Sequence, residues 1–359
     1  MSNTFTDRVT LISSGKNWME QAALDQLGGV SRLPGVVRAV GLPDLHPGKS
    51  PVGIAVCTRG RIYPHLIGND IGCGMSLFST GVPLRKFKPA RWIDRLEKLQ
   101  ALRDVPLDRP IERDCPISDM GTIGSGNHFG EFQKVVQIFD EALFRKLQLP
   151  KDQVLLLIHS GSRGYGQQIF SRFLDGEGFE EESPQALQYL REHGNALYWA
   201  RRNRELAALR LMLAVGSGEP QLQLDCPHNF LERHSEGWIH RKGASSALAG
   251  PVVIPGSRGS LTYICMPKVN TEVSLYSLAH GAGRKWKRES CQSRIGGKYT
   301  KETIRTTVLK SRVICHDTSL LFEEAPEAYK SIEGILRSLQ DFDLIRVVAA
   351  LQPLITWKG

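Results

Sequence analysis

The sequence predicts an α+β fold that forms one large mixed domain. Strand-like and helical segments are intermingled along the chain, without the regular alternation of a doubly wound parallel sheet. No internal repeat, low-complexity tract or clear linker interrupts the 359 residues, and a chain of this length can bury a large core. We therefore expect a single domain that spans residues 1–359.

Strands dominate the predicted structure of the first 80 residues. The segments VVRAVGLPDL, GIAVCTRGRIY and CGMSLFSTGV are strand-like and are separated by Gly and Pro. Helical periodicity follows at 90–103 and around 129–147. The next segment, VLLLI at 154–158, is short and continuously apolar, which predicts a buried strand.

The longest predicted helix lies in the middle of the chain. It begins at Pro184, directly after the capping residue Ser183, and ends near Val215. Three weaker patterns follow it, namely strands at 251–255 and 261–266 and a helix at 326–340.

Composition and charge restrict the location and the partners. No apolar run is long enough to cross a bilayer and the polar start MSNTFTDRV is not a signal peptide, so we expect a cytoplasmic protein. The seven cysteines show no disulfide rhythm, which fits reduced thiols. A formal net charge of +9 and a pI near 9.2 favour a polyanionic partner, most simply nucleic acid.

Common nucleotide-binding motifs do not occur in the sequence. Gly48-Lys49-Ser50 resembles the end of a phosphate-binding loop, but Pro43 stands where the first glycine is required. The glycines of GSGNHFG are one residue too far apart for a dinucleotide fingerprint. The Lys-x-Asp-Gly nucleophile motif of many nucleotidyl-transferring ligases is also missing. If the protein activates a nucleotide, it uses other residues.

Six short stretches place His, Cys or Asp in similar surroundings. In five of them the His, Cys or Asp is embedded among Gly and small residues, whereas the sixth contains His-Asn without glycines. A single histidine of this kind is usually a loop or core residue, but the repetition indicates a shared site. The stretches are PDLHPGK (43–49), GNDIGCGM (68–75), GTIGSGNHFGE (121–131), HSGSRG (159–164), HGAGR (280–284) and CPHNF (226–230).

Five residues from these stretches offer a mixed set of metal donors. Zinc would suit four of them, but five donors exceed one tetrahedral shell. A thiolate can bridge two ions, and two neighbouring ions form a clamp for phosphoryl chemistry. The mixed oxygen, nitrogen and sulfur set admits manganese as well as zinc. The donors are Asp70, Cys73, His128, His159 and His228.

Arginines near these stretches point to a phosphate-containing substrate. Arg163 and Arg258 each stand in Gly-Ser-Arg-Gly, and Arg284 and Arg288 follow His280. Arginine binds phosphate oxygens in a bidentate manner, although either Gly-Ser-Arg-Gly alone could be a simple turn. His280 is either a further metal ligand or a nucleophile toward phosphorus.

Together the motifs resemble those of the RtcB family of GTP- and manganese-dependent RNA ligases. DIGCGM, GNHF, HSGSRG and HGAGR occur in the family's order, and the match runs from PDLH to the terminal Lys-Gly. RKGA at 241–244 and PGSRG at 255–259 belong to it as well. The chain is shorter than most members and resembles the compact ones found beside the release-factor homologue PrfH. The resemblance implies an RtcB-like fold with the active site in a central cleft.

The resemblance implies a role for each matching residue. Asp70, Cys73, His128, His159 and His228 would hold two Mn²⁺ ions, with Cys73 as the bridge. His280 would carry the guanylyl group. The arginines expected at phosphate and RNA are Arg163, Arg284 and Arg288. The residues expected around GTP or GMP are Asn127, Glu131, Ser257, Thr262, His280, Gly281, Gly283, Tyr329 and Lys358.

The implied reaction repairs broken RNA, with rRNA and tRNA as candidate substrates. An RNA 3′-phosphate, or a 2′,3′-cyclic phosphate that is first hydrolysed, takes GMP from the guanylylated histidine, and a 5′-hydroxyl then displaces the GMP. Three residues depart from the usual family pattern without removing a metal donor, namely Asn69, Pro227 and Thr262.

Two other functions fit part of the pattern. The same metal donors would support a two-metal phosphodiesterase or phosphatase that acts on RNA ends without a guanylylated intermediate. A degenerate RNA-binding protein would keep the scaffold without turnover, but all the candidate donors and His280 are retained. Glu131 and Lys358 favour the ligase, because a hydrolase has no need to recognise guanine.

Overall fold

Two β-sheets provide the framework of the fold. The computed structural model describes residues 3–15, 17–107, 119–174 and 176–359, and within these ranges one sheet has six strands and the other has eight. Two pairs of short strands form two further small sheets. The strands are β1 (Asn3–Thr6), β2 (Val9–Leu11), β3 (Val36–His46), β4 (Val52–Thr58), β5 (Arg61–Ile62), β6 (Gly74–Pro83), β7 (Phe129–Ile138), β8 (Gln153–Ser160), β9 (Phe179–Glu180), β10 (Gln221–Pro227), β11 (Asn229–His234), β12 (Gly237–Lys242), β13 (Ala244–Ser246), β14 (Val252–Pro255), β15 (Thr262–Pro267), β16 (Ser277–Ala279), β17 (Arg312–Cys315) and β18 (Ile345–Lys358).

The larger sheet curves until its edges meet. Its strand order is β10-β6-β8-β7-β18-β15-β14, and β17 pairs with β18 in parallel. The edge strands β10 and β14 contact each other, and the Cys226 thiol donates to the Pro251 carbonyl at 3.5 Å. The sheet is therefore close to a closed barrel. The smaller sheet has the order β1-β2-β3-β4-β12-β11.

Helices cover the sheets, and the longest packs on the larger sheet. This helix, α5, has 31 residues and contacts β6, β7 and β8. The Ser183 hydroxyl accepts a hydrogen bond from the Ala186 N–H at 3.2 Å, as expected for an N-cap. The helices are α1 (Gln21–Val30), α2 (Pro89–Glu97), α3 (Glu141–Lys146), α4 (Arg163–Arg172), α5 (Pro184–Ala214), α6 (Cys291–Ile295), α7 (Thr318–Glu323) and α8 (Ile332–Asp341).

Both faces of the larger sheet are buried, which explains the continuous apolar run in β8. Leu155 and Leu157 point into the core between the two sheets. Leu156 and Ile158 point to the opposite face, where they pack in the same cluster as Leu211 of α5. A strand that is covered on both sides needs apolar residues at every position, not at every second one.

The predicted fold class is confirmed, since the structure is one compact domain of mixed helices and strands. The buried strand at 154–158, the helix from Pro184 and the strands near 251–255 and 261–266 are confirmed as β8, α5, β14 and β15. No described helix is both long and apolar enough to cross a bilayer.

The helix predicted around 129–147 is wrong over most of its length. Residues 129–138 form β7, and the helix α3 covers only Glu141–Lys146. β7 pairs with β8 on one side and with β18 on the other, and this pairing outweighs local helical periodicity. The helices predicted at 90–103 and 326–340 were too long, because α2 ends at Glu97 and α8 begins only at Ile332.

A buried arginine of α5 connects the helix to the ends of two strands of the larger sheet. Arg204 Nη1 donates to the carbonyls of Gly72 at 2.7 Å and Ser160 at 2.9 Å. Its Nε donates to Ser76 Oγ at 2.7 Å, and its Nη2 pairs with the Asp225 carboxylate at 2.8 Å. The Arg204 side chain is 1% exposed. One guanidinium therefore fixes the backbone just before β6 and at the end of β8.

We predict that Arg204→Met destabilises the fold strongly. The substitution removes the guanidinium donor from two carbonyls and the positive partner from the Asp225 carboxylate, and loss of one member of a buried ion pair costs about 3–5 kcal/mol. Thermal unfolding should show a midpoint lower by on the order of 5 °C.

Arg202→Met is the matched control for this experiment. Arg202 lies on the same helix and pairs with Glu205, but its side chain is 37% exposed, so its removal should cost about 0–1 kcal/mol. Equal midpoints for the two variants would contradict the role given to Arg204.

Candidate active site

The register of four antiparallel strands brings four predicted donors together where these strands begin or end, on one side of the larger sheet. Gly74 at the start of β6 pairs with Pro227 at the end of β10 and with Ser160 at the end of β8. Phe129, which begins β7, pairs with His159. Cys73, His128 and His228 each lie one residue beyond these strand ends, and His159 lies within β8. Residues that are far apart in sequence are thus neighbours in space.

The donor atoms form two overlapping groups. Cys73 Sγ lies 3.3 Å from His128 Nε2 and 3.2 Å from His159 Nε2, and an Asp70 oxygen lies 2.9 Å from His128 Nε2. Cys73, His159 and His228 have ligand atoms within 4.8 Å of one another, and so do Asp70, Cys73 and His128. We call these five residues the donor cluster. Cys73 belongs to both groups, so its sulfur lies where a bridging ligand would stand.

Burial keeps the donor cluster in a form that can bind metal. It lowers the pKa of His159 and His228 well below the usual value, so both imidazoles are neutral and offer a lone pair. Burial and the adjacent Asp70 raise the pKa of the Cys73 thiol. A bound cation reverses the second effect, because it stabilises the thiolate. The residues present therefore fit a pair of divalent ions.

Two glycines allow the close approaches on which the site depends. A Cβ at Gly161 would lie 2.1 Å from Asp70 Oδ1, and a Cβ at Gly283 would lie 2.4 Å from the Asp44 carbonyl oxygen. Gly283 also has a φ of +67°, which L-residues with side chains rarely adopt. These contacts explain why HSGSRG and HGAGR contain glycine at these positions.

His280 lies beside the donor cluster and is oriented by a buried aspartate. Its ring centroid is 4.7 Å from that of His228. Its Nδ1 lies 2.6 Å from Asp44 Oδ2, and its backbone N–H donates to the same oxygen at 3.2 Å. Because a carboxylate only accepts, Nδ1 is the donor in this bond, so the lone pair of the neutral ring lies on Nε2.

Sequence reasoning did not assign a role to Asp44, although PDLHPGK was singled out. The structure holds this stretch firmly, since Lys330 Nζ donates to the carbonyls of Pro43 at 3.1 Å and Leu45 at 2.7 Å. His46 Nδ1 lies 2.8 Å from the Asp44 carbonyl. An aspartate beside a histidine motif was the signal that could have identified the partner of His280.

A cavity of about 370 Å³ adjoins the donor cluster and His280. Two of the predicted site residues do not line it. Arg163 Nε lies 3.4 Å from Thr122 Oγ1, and Thr262 is 2% exposed and accepts from Gln133 Nε2 at 2.9 Å. The predicted nucleotide and phosphate residues that do line the cavity are Asn127, Glu131, Ser257, His280, Gly281, Gly283, Arg284, Arg288, Tyr329 and Lys358.

Glu131 is a buried carboxyl on the cavity wall. Thr356 Oγ1 and Gln133 Nε2 donate to it, so Thr262 acts on Glu131 through Gln133. Burial raises the pKa of Glu131 to about 7, and the two hydrogen bonds oppose this rise. Lys358 lies nearby, with Nζ donating to the His128 carbonyl at 3.0 Å. The carboxyl is therefore ready to ionise when a ligand offers it donors.

An acidic residue that the sequence did not reveal balances two of the arginines. Glu324 is 4% exposed and lies 2.9 Å from Arg284 Nη1 and 3.6 Å from Arg288 Nε. Arg284 Nη1 also lies 3.2 Å from Tyr329 Oη. No motif surrounds Glu324, so its place in the cavity depends on tertiary structure alone. Arg284 is thus held in place before any ligand arrives.

Comparison with known proteins agrees with the motifs. The family model described as tRNA-splicing ligase RtcB matches residues 26–116 and 104–359. The chain is 44% identical to RNA-splicing ligase RtcB2 of Escherichia coli, with 99% of this chain and 96% of the relative covered. It is 28% identical to RNA-splicing ligase RtcB of Escherichia coli K12, with 95% of each chain covered. It is also 28% identical to tRNA-splicing ligase RtcB of Nanoarchaeum equitans, with 95% and 92% covered. These matches span nearly the whole chain, and the protein belongs to the RtcB family.

Proposed function

We propose that the protein is a GTP- and manganese-dependent RNA ligase that joins 3′-phosphate or 2′,3′-cyclic phosphate ends to 5′-hydroxyl ends. The names of its relatives support RNA ligation. The observation that carries the mechanism is the position of His280, which Asp44 orients and which lies against the donor cluster. A nucleophile beside a two-ion site is an arrangement that promotes in-line displacement at phosphorus.

The donor cluster would hold two Mn²⁺ ions. Asp70, Cys73 and His128 would bind one ion, and Cys73, His159 and His228 would bind the other. When bound, the ions would neutralise the charge of phosphate oxygens. The protein contributes rigidity, because strand pairing and Arg204 fix the backbone at both Cys73 and His159.

His280 acts as the nucleophile in this proposal. Its Nε2 lone pair attacks the α-phosphorus of GTP, an N–P bond forms, and the P–O bond to pyrophosphate breaks. Asp44 keeps the proton on Nδ1 and stabilises the positive charge that the ring acquires. An oxygen of the RNA 3′-phosphate then takes the guanylyl group from Nε2. The 5′-hydroxyl attacks the activated 3′-phosphate, and GMP leaves.

Cavity residues beyond the donor cluster support a ligase over a simple hydrolase. Hydrolysis of RNA ends needs only the ions and a water, whereas this cavity extends to Glu131, Lys358 and Tyr329. The ionised Glu131 carboxylate can accept from N1–H and the N2 amino group of guanine. Arg284 and Arg288 lie on the same cavity, where they can contact phosphate.

The proposed substrate is broken RNA of the translation machinery, either rRNA or tRNA, in the cytoplasm. The net charge of +9 favours contact with an RNA backbone. The six cysteines that the structure describes are all free thiols, in keeping with a reducing compartment. The resemblance to compact family members supports a functional link with the release-factor homologue PrfH.

We predict that His280→Ala abolishes covalent labelling of the protein by α-labelled GTP with Mn²⁺. The wild-type label should be removed by acid and should resist alkali, as expected of a phosphoramidate. Gel electrophoresis with phosphorimaging measures it. His316→Ala, which changes an exposed histidine outside the cavity, should label fully. RNA joining by His280→Ala would refute the assignment of the nucleophile.

We predict that Cys73→Ala loses the stabilisation that Mn²⁺ gives to the metal-free protein. A ligand at 100 times its dissociation constant stabilises by about 2.7 kcal/mol, which thermal unfolding and metal analysis can detect. Cys265→Ala is the matched control, because Cys265 is equally buried but lies in the core away from the cavity. An unchanged Mn²⁺ response in Cys73→Ala would count against the bridging role.

We predict that GTP binding weakens as the pH falls through 7. Glu131 has a raised pKa of about 7, so its accepting, ionised form is lost below that pH. In a His280→Asn background, which binds GTP without reacting, the dissociation constant should be about tenfold larger at pH 6 than at pH 8. Equilibrium binding of labelled GTP measures this. Adding Glu131→Gln to this background should weaken GTP binding and remove its dependence on pH. If the dissociation constant of the His280→Asn protein did not change with pH, the role of Glu131 would be contradicted.

A further inference from the structure

Arg258 is a cation on the cavity wall with a buried Nη1 that has no direct partner. Its side chain lines the cavity, and its Nη1 is shielded from solvent and forms no hydrogen bond. Burial lowers the pKa of this guanidinium, and only the more distant charges of Glu324, Tyr329, Cys315 and Glu327 oppose the effect. Within the described parts of the chain, no carboxylate lies within ion-pair distance of Arg258. Such a group needs an acceptor.

The other cations of the cavity already have partners. Arg284 is bonded to Glu324 and to the Glu323 carbonyl, and Lys358 donates to the His128 carbonyl. Arg288 is 48% exposed, so water solvates it. Arg258 differs from all three, because one of its donors, Nη1, is both desolvated and unused.

The position of Arg258 indicates which part of a nucleotide it meets. It stands in the loop that joins β14 to β15, and its charge acts on Lys358. Cys315 also interacts electrostatically with Arg258, and it pairs with Lys358 where β17 lies beside β18. The charged groups that act on it most strongly include Tyr329 but no member of the donor cluster. Arg258 thus belongs to the end of the cavity formed by Lys358 and Tyr329.

We propose that Arg258 binds the O6 and N7 atoms of guanine and selects GTP over ATP. This inference rests on the proposed function, in which GTP is the co-substrate. Guanine presents two adjacent acceptors on this edge, and the arginine fork matches them in a bidentate manner. Glu131 complements Arg258 at the donor edge of guanine, where its carboxylate accepts hydrogen bonds from N1–H and the N2 amino group. Adenine carries an amino donor at position 6, which faces the Arg258 donors unfavourably.

The test compares α-labelled GTP with 7-deaza-GTP, which lacks only the N7 acceptor, in the His280 labelling reaction with Mn²⁺. Wild-type protein should label with GTP at least about tenfold faster at subsaturating nucleotide, as expected for a hydrogen bond to a charged donor. Arg258→Met should use the two nucleotides equally, at a rate no higher than that of wild type with 7-deaza-GTP. Its preference for GTP over ATP should also shrink by at least about tenfold.

Arg288→Met is the matched control, because a phosphate contact is shared by both nucleotides. It should slow GTP and 7-deaza-GTP by the same factor and keep the preference. Arg258→Lys retains the charge and one contact, and it should show an intermediate preference even if Arg258→Met folds poorly.

Three results would overturn the proposal. Wild-type protein would use 7-deaza-GTP as well as GTP, or Arg258→Met would slow both nucleotides equally, as for a phosphate contact. Alternatively, the variants would lose thermal stability while keeping the wild-type preference. Absence of any nucleotide labelling in wild-type protein with Mn²⁺ would instead refute the proposed ligase function.

Discussion

Backbone hydrogen bonds across β10, β6, β8 and β7 decide where the chemical groups of this protein lie. These strands are antiparallel neighbours, so the ends of two coincide with the beginnings of the other two. A slip by one residue would turn a side chain to the opposite face of the sheet. The donor cluster therefore depends on exact register. Arg204 reinforces it by holding the carbonyls next to Cys73 and His159.

The balance of charge in the cavity determines which kind of ligand it can accept. The imidazoles of His159 and His228 are neutral because they are buried, so these two donors add no positive charge before metal binds. Further along, four cations, Arg258, Arg284, Arg288 and Lys358, face two acids, Glu131 and Glu324. An environment with surplus cations and desolvated donors is suited to a polyanion with a hydrogen-bonding base. The architecture thus agrees with a nucleotide co-substrate.

The sequence revealed more of the donors than of their surroundings. Short motifs contain both a chemical residue and the glycine that makes room for it, as Gly161 does for Asp70, so such residues can be found locally. Glu324 has no local signature, because its role arises only when distant segments meet. The same limitation produced the wrong helix at 129–147, where pairing with β8 and β18 decides the structure. Arg163 and Thr262 likewise fit the motif pattern but do not line the cavity.

The bond between Asp44 and His280 links the two halves of the molecule. Asp44 belongs to β3 of the smaller sheet, whereas the donor cluster is carried by the larger sheet. The distance between His280 and the donor cluster consequently depends on how the two sheets pack against each other, through the core that contains Val40, Leu42 and Leu157. Under the proposed function, a substitution in this core would slow turnover by moving His280 relative to the donor cluster, although neither site would lose a side chain.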